Sequence, residues 1–410
     1  MRALLPAMLL SGCGEPLCGA VLDDAARRCV VEHITDRLET EYPVAFLDLK
    51  DIDLQDITEA LQALPDAYDG DDDDAFLEAL EREVAALHDG HTGVIRKPDD
   101  ADGALFLELR RVDGRLRIAR DYREELPLGA ELVAVGGALL EERVAAALPQ
   151  VSGSTEAARE RYAIRRALRV ESGWSGMVTL GGDDGAQGVR ATRAGWLLPE
   201  PVSSAVLDGD IGYLRVPSFS EFDTLDQIDA ALEPLLDTRG LVIDLRGNAG
   251  GHSITLNGLL GRLFEERPPD YLLLNPDGSP SPLHDRVNPR GEIHDGPVAV
   301  LVDAGSGSAA NVMAHRIALH GHGFVCGEPT GGGAGVIKEG VVLILEPRVR
   351  YAQPFRYLAG PDGEDVELGV APDPACAVVY TEADLRAGAL ADPGNPATDL
   401  ALQRAMAVLE

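Results

Sequence analysis

The clearest pattern of hydrophobic and polar positions lies between residues 240 and 335, where two strand–turn–helix units follow each other. In the first unit, the apolar run Leu241–Ile243 predicts a buried strand, and the glycine-rich turn after it leaves backbone N–H groups open to a ligand. In the second unit, Val298–Val302 predicts another buried strand, and a helix begins at Ser308. The inner stripe predicted for the first helix consists of Ile254, Leu256, Leu259, Leu260 and Leu263.

A serine at a strand-to-helix turn is well placed to act as a nucleophile. The free N–H groups at the helix N-terminus supply positive potential for a developing oxyanion. Taken alone, Ser308 is more simply explained as the N-cap of the helix. Ser306, two residues earlier, is a weaker candidate for the same role.

In the first part of the chain, apolar residues recur with helical periodicity. After it, apolar and polar residues alternate strictly. Residues 23–87 are predicted to be mostly helical, and Asp74–Leu87 has one apolar face. Alternation from Leu105 to Tyr122, on either side of Asp113-Gly114, predicts a β-hairpin. The predicted segments are a signal and linker (1–22), a helical region (23–100), a β-rich segment (101–200), a domain with the strand–turn–helix units (201–380) and a helical tail (381–410).

The charge of the chain disfavours one class of partner, the nucleic acids. The chain has 410 residues, which is long enough for two or three domains with a sizeable core. It carries 36 lysines and arginines against 69 aspartates and glutamates, a formal net charge of −33. Because a polyanion would be repelled over most of the surface, nucleic-acid binding is disfavoured.

The N-terminus has features of bacterial export. Arg2 precedes a short apolar segment, Ala3–Leu10, and the tetrapeptide that ends at Cys13 resembles a lipobox, in which the cysteine is acylated after signal cleavage. The apolar segment is too short to span a bilayer as a stable helix. We therefore expect export to the periplasmic side of the envelope with a lipid anchor at Cys13. The alternative is the apolar start of a cytosolic chain.

Four cysteines remain beyond Cys13, and an even number is typical of disulfides outside the cytosol. Cys18 with Cys29 and Cys326 with Cys376 are the expected pairs. Four cysteines permit three connectivities, so the sequence leaves the pairing open.

Four motifs in a fixed order resemble those of a peptidase family. DLRGNAGG, GSGSAAN, VCGEPTGGG and VELGVAPD recur in this order in the tail-specific, or C-terminal processing, serine peptidases and in the tricorn core peptidase. The resemblance covers roughly Asp210–Asp373, with weaker similarity upstream to about Asp51. It implies an α/β fold: a crotonase/ClpP-like ββα superhelix catalytic domain, with an N-terminal helical region and a degenerate PDZ-like β-rich segment. It also implies a peptide or unfolded protein substrate and no cofactor.

The resemblance assigns roles to individual residues. The family nucleophile falls on Ser308. The general-base lysine of the processing proteases falls on Gly333, so a Ser/Lys dyad would require Lys338 to reach the serine. In the tricorn-like and retinoid-binding-protein-like branch, a short histidine motif carries the base, which falls on His91. Glu367 matches the acid that orients the histidine in that branch.

The oxyanion hole is expected from main-chain donors. The resemblance points to the N–H groups of Ala309 and of Gly250 or Gly251. The hypothesis that follows is an exported serine endopeptidase in which Ser308 attacks a peptide carbonyl and His91 acts first as base and then as acid.

Two alternatives remain open. The segment His88-Asp89-Gly90-His91 could bind a metal, but no fixed third ligand is evident, so no metal is expected. Alternatively, the fold could be inactive and hold a peptide or an apolar ligand. Asn311 and Gly333 depart from the processing-protease pattern, and the glycine before His91 leaves a tricorn-like serine unmatched.

Overall fold

The computed structural model describes residues 16–68, 72–96, 102–171, 173–181, 187–192, 200–221, 223–337, 340–346 and 348–410. The predicted lipobox with Cys13 and the alternative base Lys338 lie outside these residues. Within the described ranges, no helix combines the length and the apolar character needed to cross a membrane.

Four helices precede the first strand and pack on strands from the segment 201–380. Aspartates cap three of them, because Asp23, Asp53 and Asp72 each accept a backbone N–H from the first turn. Buried side chains such as Ile34 and Leu80 belong to the same hydrophobic cluster as Leu241 and Val300 in those strands. The elements are α1 (Asp24–Glu41), α2 (Val44–Lys50), α3 (Leu54–Ala67), α4 (Asp73–Ala85) and β1 (Gly93–Arg96).

The β-rich segment has its own hydrophobic core, built around residues such as Leu109, Ile118 and Val178. The elements are β2 (Asp102–Ala104), β3 (Leu107–Val112), β4 (Arg115–Asp121), β5 (Glu131–Val135), β6 (Ala138–Leu139), α5 (Leu140–Ala147), α6 (Glu156–Ala167), β7 (Arg169–Glu171), β8 (Ser175–Gly181) and β9 (Gln187–Thr192). The sheet order is β3-β4-β5-β8-β9, with β6 paired to β5. The predicted hairpin is confirmed as β3 and β4, whose connection is Asp113-Gly114.

Five strands between residues 203 and 327 form a sheet in the order β10-β11-β12-β15-β16, in which all neighbours are parallel except β10 and β11. The elements are β10 (Ser203–Leu207), β11 (Ile211–Arg215), α7 (Thr224–Leu232), β12 (Gly240–Asp244), α8 (Ser253–Leu260), β13 (Tyr271–Leu274), β14 (Pro280–Asp285), β15 (Val298–Val302), α9 (Ala309–Leu319) and β16 (Gly323–Gly327). Strands β12 and β15 are parallel neighbours. Because carboxyl ends of parallel strands meet at one edge, the glycine turn after β12 and the serine turn after β15 lie side by side.

One residue that we predicted on the buried face of α8 faces solvent instead. Ile254 is 75% exposed, because it lies in the first turn of α8 and faces solvent, whereas Leu256, Leu259 and Leu260 are buried.

Four strands near the end of the chain remain, and one of them pairs with β1 near its start. They are β17 (Gly335–Ile337), β18 (Val341–Ile344), β19 (Val349–Ala352) and β20 (Pro354–Ala359), followed by α10 (Glu382–Arg386) and α11 (Leu400–Val408). Strand β1 pairs antiparallel with β19, so that Gly93 lies opposite Ala352. This pairing holds the loop between α4 and β1, which contains His91, close to the strands from the last part of the chain.

Both expected disulfides are present. Cys18 is bonded to Cys29, and Cys326 is bonded to Cys376. The second bond closes the part of the chain that contains Gly333 and Glu367.

Candidate active site

Ser308 lies at the turn between β15 and α9, and its side chain does not cap the helix. No hydrogen bond joins its hydroxyl to the first turn of α9, although the residue occupies the N-cap position. Its backbone has φ +51° and ψ −121°, a strained conformation for a residue other than glycine. The backbone N–H of Ser308 donates to the carbonyl of Gly332 at 3.0 Å, which helps to hold the turn. The N-cap interpretation therefore does not account for this serine.

The hydroxyl of Ser308 is hydrogen-bonded to His91. The distance from His91 Nε2 to Ser308 Oγ is 2.9 Å, although 217 positions separate the residues. Asp89 shapes the histidine loop, because its Oδ1 accepts the backbone N–H of His91 at 2.9 Å. Its Oδ2 accepts the hydroxyls of Thr92 at 2.6 Å and Tyr42 at 3.2 Å. The loop thus presents the imidazole to the serine.

The imidazole of His91 is in a state suited to accept a proton. Its side chain is 11% exposed, and burial lowers its pKa. The negative charge of Asp89 opposes this effect, while the positive charge of Lys50 adds to it. A neutral imidazole with Nε2 facing a hydroxyl is the arrangement that general-base catalysis requires.

Glu367 lies close to this loop but does not bond the imidazole. Its Oε1 is 2.7 Å from Lys50 Nζ, and its Oε2 accepts the backbone N–H of Ala334 at 2.7 Å. Nδ1 of His91 has no hydrogen-bond partner among the described residues, and Asp89 Oδ1 lies 4.0 Å from it. The direct contact expected between Glu367 and the histidine is therefore not formed, and a catalytic role of Glu367 stays a prediction. Lys50 was not identified from the sequence.

Gly333 occupies the position where the processing proteases have their lysine, and the imidazole fills the space beside it. A Cβ atom at Gly333 would lie 2.8 Å from Cε1 of His91. The residue also has φ +101°, which favours glycine. A residue with a side chain at position 333 would therefore displace the His91 ring from its observed place.

One of the two glycines expected in the oxyanion hole has its N–H occupied. The N–H of Gly250 donates to Oδ1 of Asn248 at 2.8 Å, so this group is not available to a substrate. Across the described residues, the N–H groups of Gly251 and Ala309 have no acceptor. Gly250 is still required, since a Cβ there would lie 2.6 Å from Cβ of Ser308. The expected donors are thus reduced to Gly251 and Ala309.

Ser306 has a structural role. It is fully buried, its hydroxyl donates to the carbonyl of Leu245 at 2.8 Å, and it accepts the N–H of Asp303 at 3.0 Å. These bonds fix the chain between β15 and Ser308 and leave Ser306 inaccessible to a substrate.

Asp303 joins this turn to the β-rich segment. Its Oδ1 accepts the N–H groups of Gly247 at 2.8 Å and Gly305 at 2.9 Å. Its Oδ2 accepts from Arg161 at 2.9 Å and from Arg110 at 3.0 Å. Burial alone would raise the pKa of Asp303, but the two guanidinium groups hold it well below its usual value.

We expect Asp303→Asn to lower the free energy of unfolding by about 3 kcal/mol, because two largely buried guanidinium groups would lose one of the carboxylates that pair with them and keep only Glu108 and Glu328. Guanidinium chloride denaturation followed by circular dichroism measures the change. Asp66→Asn is the control, since Asp66 pairs with Arg28 in an exposed ion pair of the same kind. If the two variants were equally stable, Asp303 would not be an important link between the serine turn and the β-rich segment.

Two other residues from the sequence patterns have structural explanations. Asn311 is fully buried, donates to the carbonyl of Val366 at 2.7 Å and accepts the hydroxyl of Thr330 at 2.6 Å. It therefore anchors α9 to the segment that contains Glu367. Over the described part of the chain, no three His, Cys, Asp or Glu side chains cluster as metal ligands.

Taken together, a partly exposed serine at a helix N-terminus, a buried imidazole bonded to it and unpaired N–H groups beside it define a site of the serine hydrolase kind. Residues 210–375 match the model of peptidase family S41. The matched segment is less than half of the chain, and over this segment the chain is similar to peptidase family S41.

Two curated relatives agree with this assignment. The chain is 26% identical over 259 residues to the chloroplastic carboxyl-terminal-processing peptidase 3 of Arabidopsis thaliana, covering 60% of this chain and 47% of the relative. It is 29% identical over 135 residues to the carboxy-terminal processing protease CtpB of Bacillus subtilis (strain 168), covering 32% and 27%. The chain thus matches half or less of the length of these relatives.

Solved structures show a similar fold over most of the chain. Mature CPAF aligns with a TM-score of 0.73 at 17% identity, covering 90% of this chain and 95% of that chain. The photosystem II D1 C-terminal processing protease aligns with a TM-score of 0.55 at 18% identity, covering 91% and 99%. The mixed α/β fold is therefore that of the S41 peptidases.

Proposed function

We propose that this protein is a serine endopeptidase in which Ser308 attacks the carbonyl carbon of a peptide bond. His91 Nε2 takes the hydroxyl proton during attack and returns it to the leaving amine. The N–H groups of Gly251 and Ala309 stabilise the oxyanion that forms. The observation that carries the proposal is the 2.9 Å hydrogen bond between Nε2 and Oγ, joining residues from two distant parts of the chain.

Glu367 is proposed to support the imidazole through the glycine loop. Its main-chain carbonyl accepts the N–H of Gly333, and its carboxylate accepts the N–H of Ala334. Gly333 is in turn the residue against which His91 packs. In this proposal Glu367 orients His91 by fixing that loop, and not by a direct bond.

Similarity to peptidase family S41 supports a peptide or unfolded protein as substrate, since both curated relatives are named as processing enzymes for carboxyl termini. The matched segment, 210–375, contains Ser308 and Glu367 but not His91. The identity of the base therefore rests on the geometry in this chain.

The test is covalent labelling of folded protein by a fluorophosphonate, followed by peptide mapping. We expect the phosphonyl group on Ser308, and no labelling of Ser308→Ala or of heat-denatured protein. Hydrolysis of unfolded casein by the wild type but not by Ser308→Ala would show that this serine is needed for peptidase activity. Labelling of a control hydrolase while Ser308 stays unmodified would overturn the proposal.

A binding protein without turnover is the competing function. The observation that favours it is the bond from Glu367 to Lys50, which leaves the imidazole without a carboxylate partner at Nδ1. Saturable binding of peptides that are never cleaved, together with an unlabelled Ser308, would establish this alternative.

We also propose that the protein is exported and held in the cell envelope by a lipid on Cys13. The lipobox-like tetrapeptide supports this, and so do the two disulfides, which are typical of oxidising compartments. Expression in a bacterial host should place the wild type in the membrane fraction with an acylated Cys13. Cys13→Ala should abolish the acylation, and an unmodified, uncleaved N-terminus in the wild type would contradict export.

A further inference from the structure

Lys50 forms a buried ion pair with Glu367 that the proposed reaction does not itself require. Nζ lies 2.7 Å from Oε1, and the two side chains are 5% and 0% exposed. Lysine is rare in this protein, where three of the 36 basic residues are lysines and 33 are arginines. A buried pair is costly to form, because both ions lose their hydration.

The surroundings of Glu367 are unfavourable for a negative charge. Asp89, from the loop between α4 and β1, is fully buried nearby, and its charge acts on the same site. The hydroxyl of Tyr42, between α1 and α2, donates to Asp89, and Ser154, before α6, donates to Glu367. Burial first, and then Asp89, raises the pKa of Glu367 to about 7, while Lys50 acts in the opposite direction.

Lys50 is the last residue of α2, and aromatic contacts hold its side chain. Asp51 ends that helix in the left-handed conformation. The ammonium group of Lys50 lies over the ring of Phe46 at 4.9 Å, and Phe46 packs against the ring of Tyr357 in β20. The cation is thus fixed between the N-terminal helices and the segment 201–380.

A continuous set of contacts leads from Lys50 to the imidazole. Lys50 bonds the carboxylate of Glu367, that carboxylate bonds the N–H of Ala334, and the neighbouring Gly333 lies against Cε1 of His91. A carboxylate accepts such an N–H more strongly when it is ionised. The charge on Glu367 therefore affects how firmly the glycine loop supports His91.

We propose that Lys50 is a positioning residue for the Ser308–His91 pair: its ammonium group keeps Glu367 ionised, and ionised Glu367 holds the Gly333-Ala334 loop against the imidazole. The proposal rests on the proposed function and names a residue that acts in it without touching the substrate.

The expected pH dependence follows from the sign of each effect. In the wild type, Glu367 is ionised above pH 7 and becomes protonated as the pH falls through about 7. Removing the ammonium group raises the pKa of Glu367 further, because burial and Asp89 are then opposed only by hydrogen bonds such as that from Ser154. The acid limb of kcat/KM should therefore move to higher pH in Lys50→Met. Protonation of His91, whose pKa is lowered by burial, takes place at lower pH and should not obscure this limb.

The first experiment measures kcat/KM for a peptide, and the labelling rate of Ser308, between pH 5 and 9.5. Lys50→Met should lose about 5-fold at pH 7 and recover near pH 9, which corresponds to a limb shift of about one pH unit. Lys50→Arg should keep the wild-type limb. Glu367→Gln should remove the limb near pH 7, and adding Lys50→Met to it should change nothing further. Arg28→Met, in the exposed pair with Asp66, is the control and should match the wild type.

A rate loss in Lys50→Met that is equal at every pH would overturn the proposal, because it would indicate only poorer docking of α2. Thermal unfolding of each variant identifies those that fail to fold. If Ser308 proves unreactive in the wild type, the proposed function fails, and a second measurement still decides the role of Lys50.

That measurement is nuclear magnetic resonance of protein labelled with ¹³C at Cε of lysine, which gives three signals because the chain has three lysines. The signal that Lys50→Arg removes belongs to Lys50. It should shift with a midpoint near pH 7 as Glu367 titrates, and Glu367→Gln should abolish the shift. A Lys50 signal that does not change between pH 5 and 9 would refute the charge coupling.

Discussion

Replacing Ser308 by alanine is expected to reduce peptide hydrolysis by about 10⁴-fold or more, and replacing His91 by alanine should have an effect of similar size. The reason is that the hydroxyl and the imidazole are joined by one hydrogen bond and act as a unit. Losses from residues that act as a unit do not add, so the double variant should be no slower than either single variant by more than a small factor.

Steady-state hydrolysis of a quenched fluorescent peptide measures these effects. Ser253→Ala is the matched control for the serine, because Ser253 is an exposed serine that begins α8 after the other glycine turn. His88→Ala is the control for the histidine, because it changes an exposed histidine of the same loop. Retention of more than a tenth of the activity in Ser308→Ala would rule out this serine as the nucleophile.

The second large effect is expected from a single methyl group. Gly333→Ala should lower kcat/KM by about 10² to 10⁴, the usual contribution of a general base. The new Cβ would lie 2.8 Å from Cε1 of His91, so the ring must leave its place beside Ser308. We expect the loss mainly in kcat, because the binding of substrate does not depend on the position of this proton acceptor.

Gly363→Ala separates this collision from backbone strain. Gly363 has φ +89°, close to the +101° of Gly333, but no atom lies within 4 Å of a Cβ placed there. Both variants should lose about 1 kcal/mol of stability for an unfavourable φ. If Gly363→Ala were as inactive as Gly333→Ala, or if both were fully active, the packing of His91 against Gly333 would not be essential.

Much of the fold follows from the apolar runs. The strand predicted at Val298–Val302 has those bounds in the structure, and the strand predicted at Leu241–Ile243 is one residue longer at each end. Both runs are buried on two faces of a parallel sheet, where continuous hydrophobicity is unambiguous. Ile254 shows the limit of the method, because apolar character in the first helical turn does not decide which side faces the core.

Some of the contacts that we predicted in the site are present in the structure, and others are not. The pairing of Ser308 with His91 is present as a hydrogen bond. Glu367 could be placed near the site by its motif, but its bond to Lys50 could not, because no motif surrounds this lysine and 317 positions separate the two residues. The rarity of lysine in the chain was the one available signal. Similarly, no spacing rule reveals that Asn248 occupies the N–H of Gly250.

The sequence by itself determined which chemical groups the protein contains and the local shape of each turn, since glycines and apolar runs act on their own neighbours. It placed Ser308 at the start of a helix and left the position of the processing-protease lysine as Gly333. Only the tertiary structure decided which groups meet, because strand pairing and core packing bring the loop with His91 to the serine turn. The partner of Glu367 depends on the same packing, since its charge is stabilised by whatever cation the folded chain buries beside it.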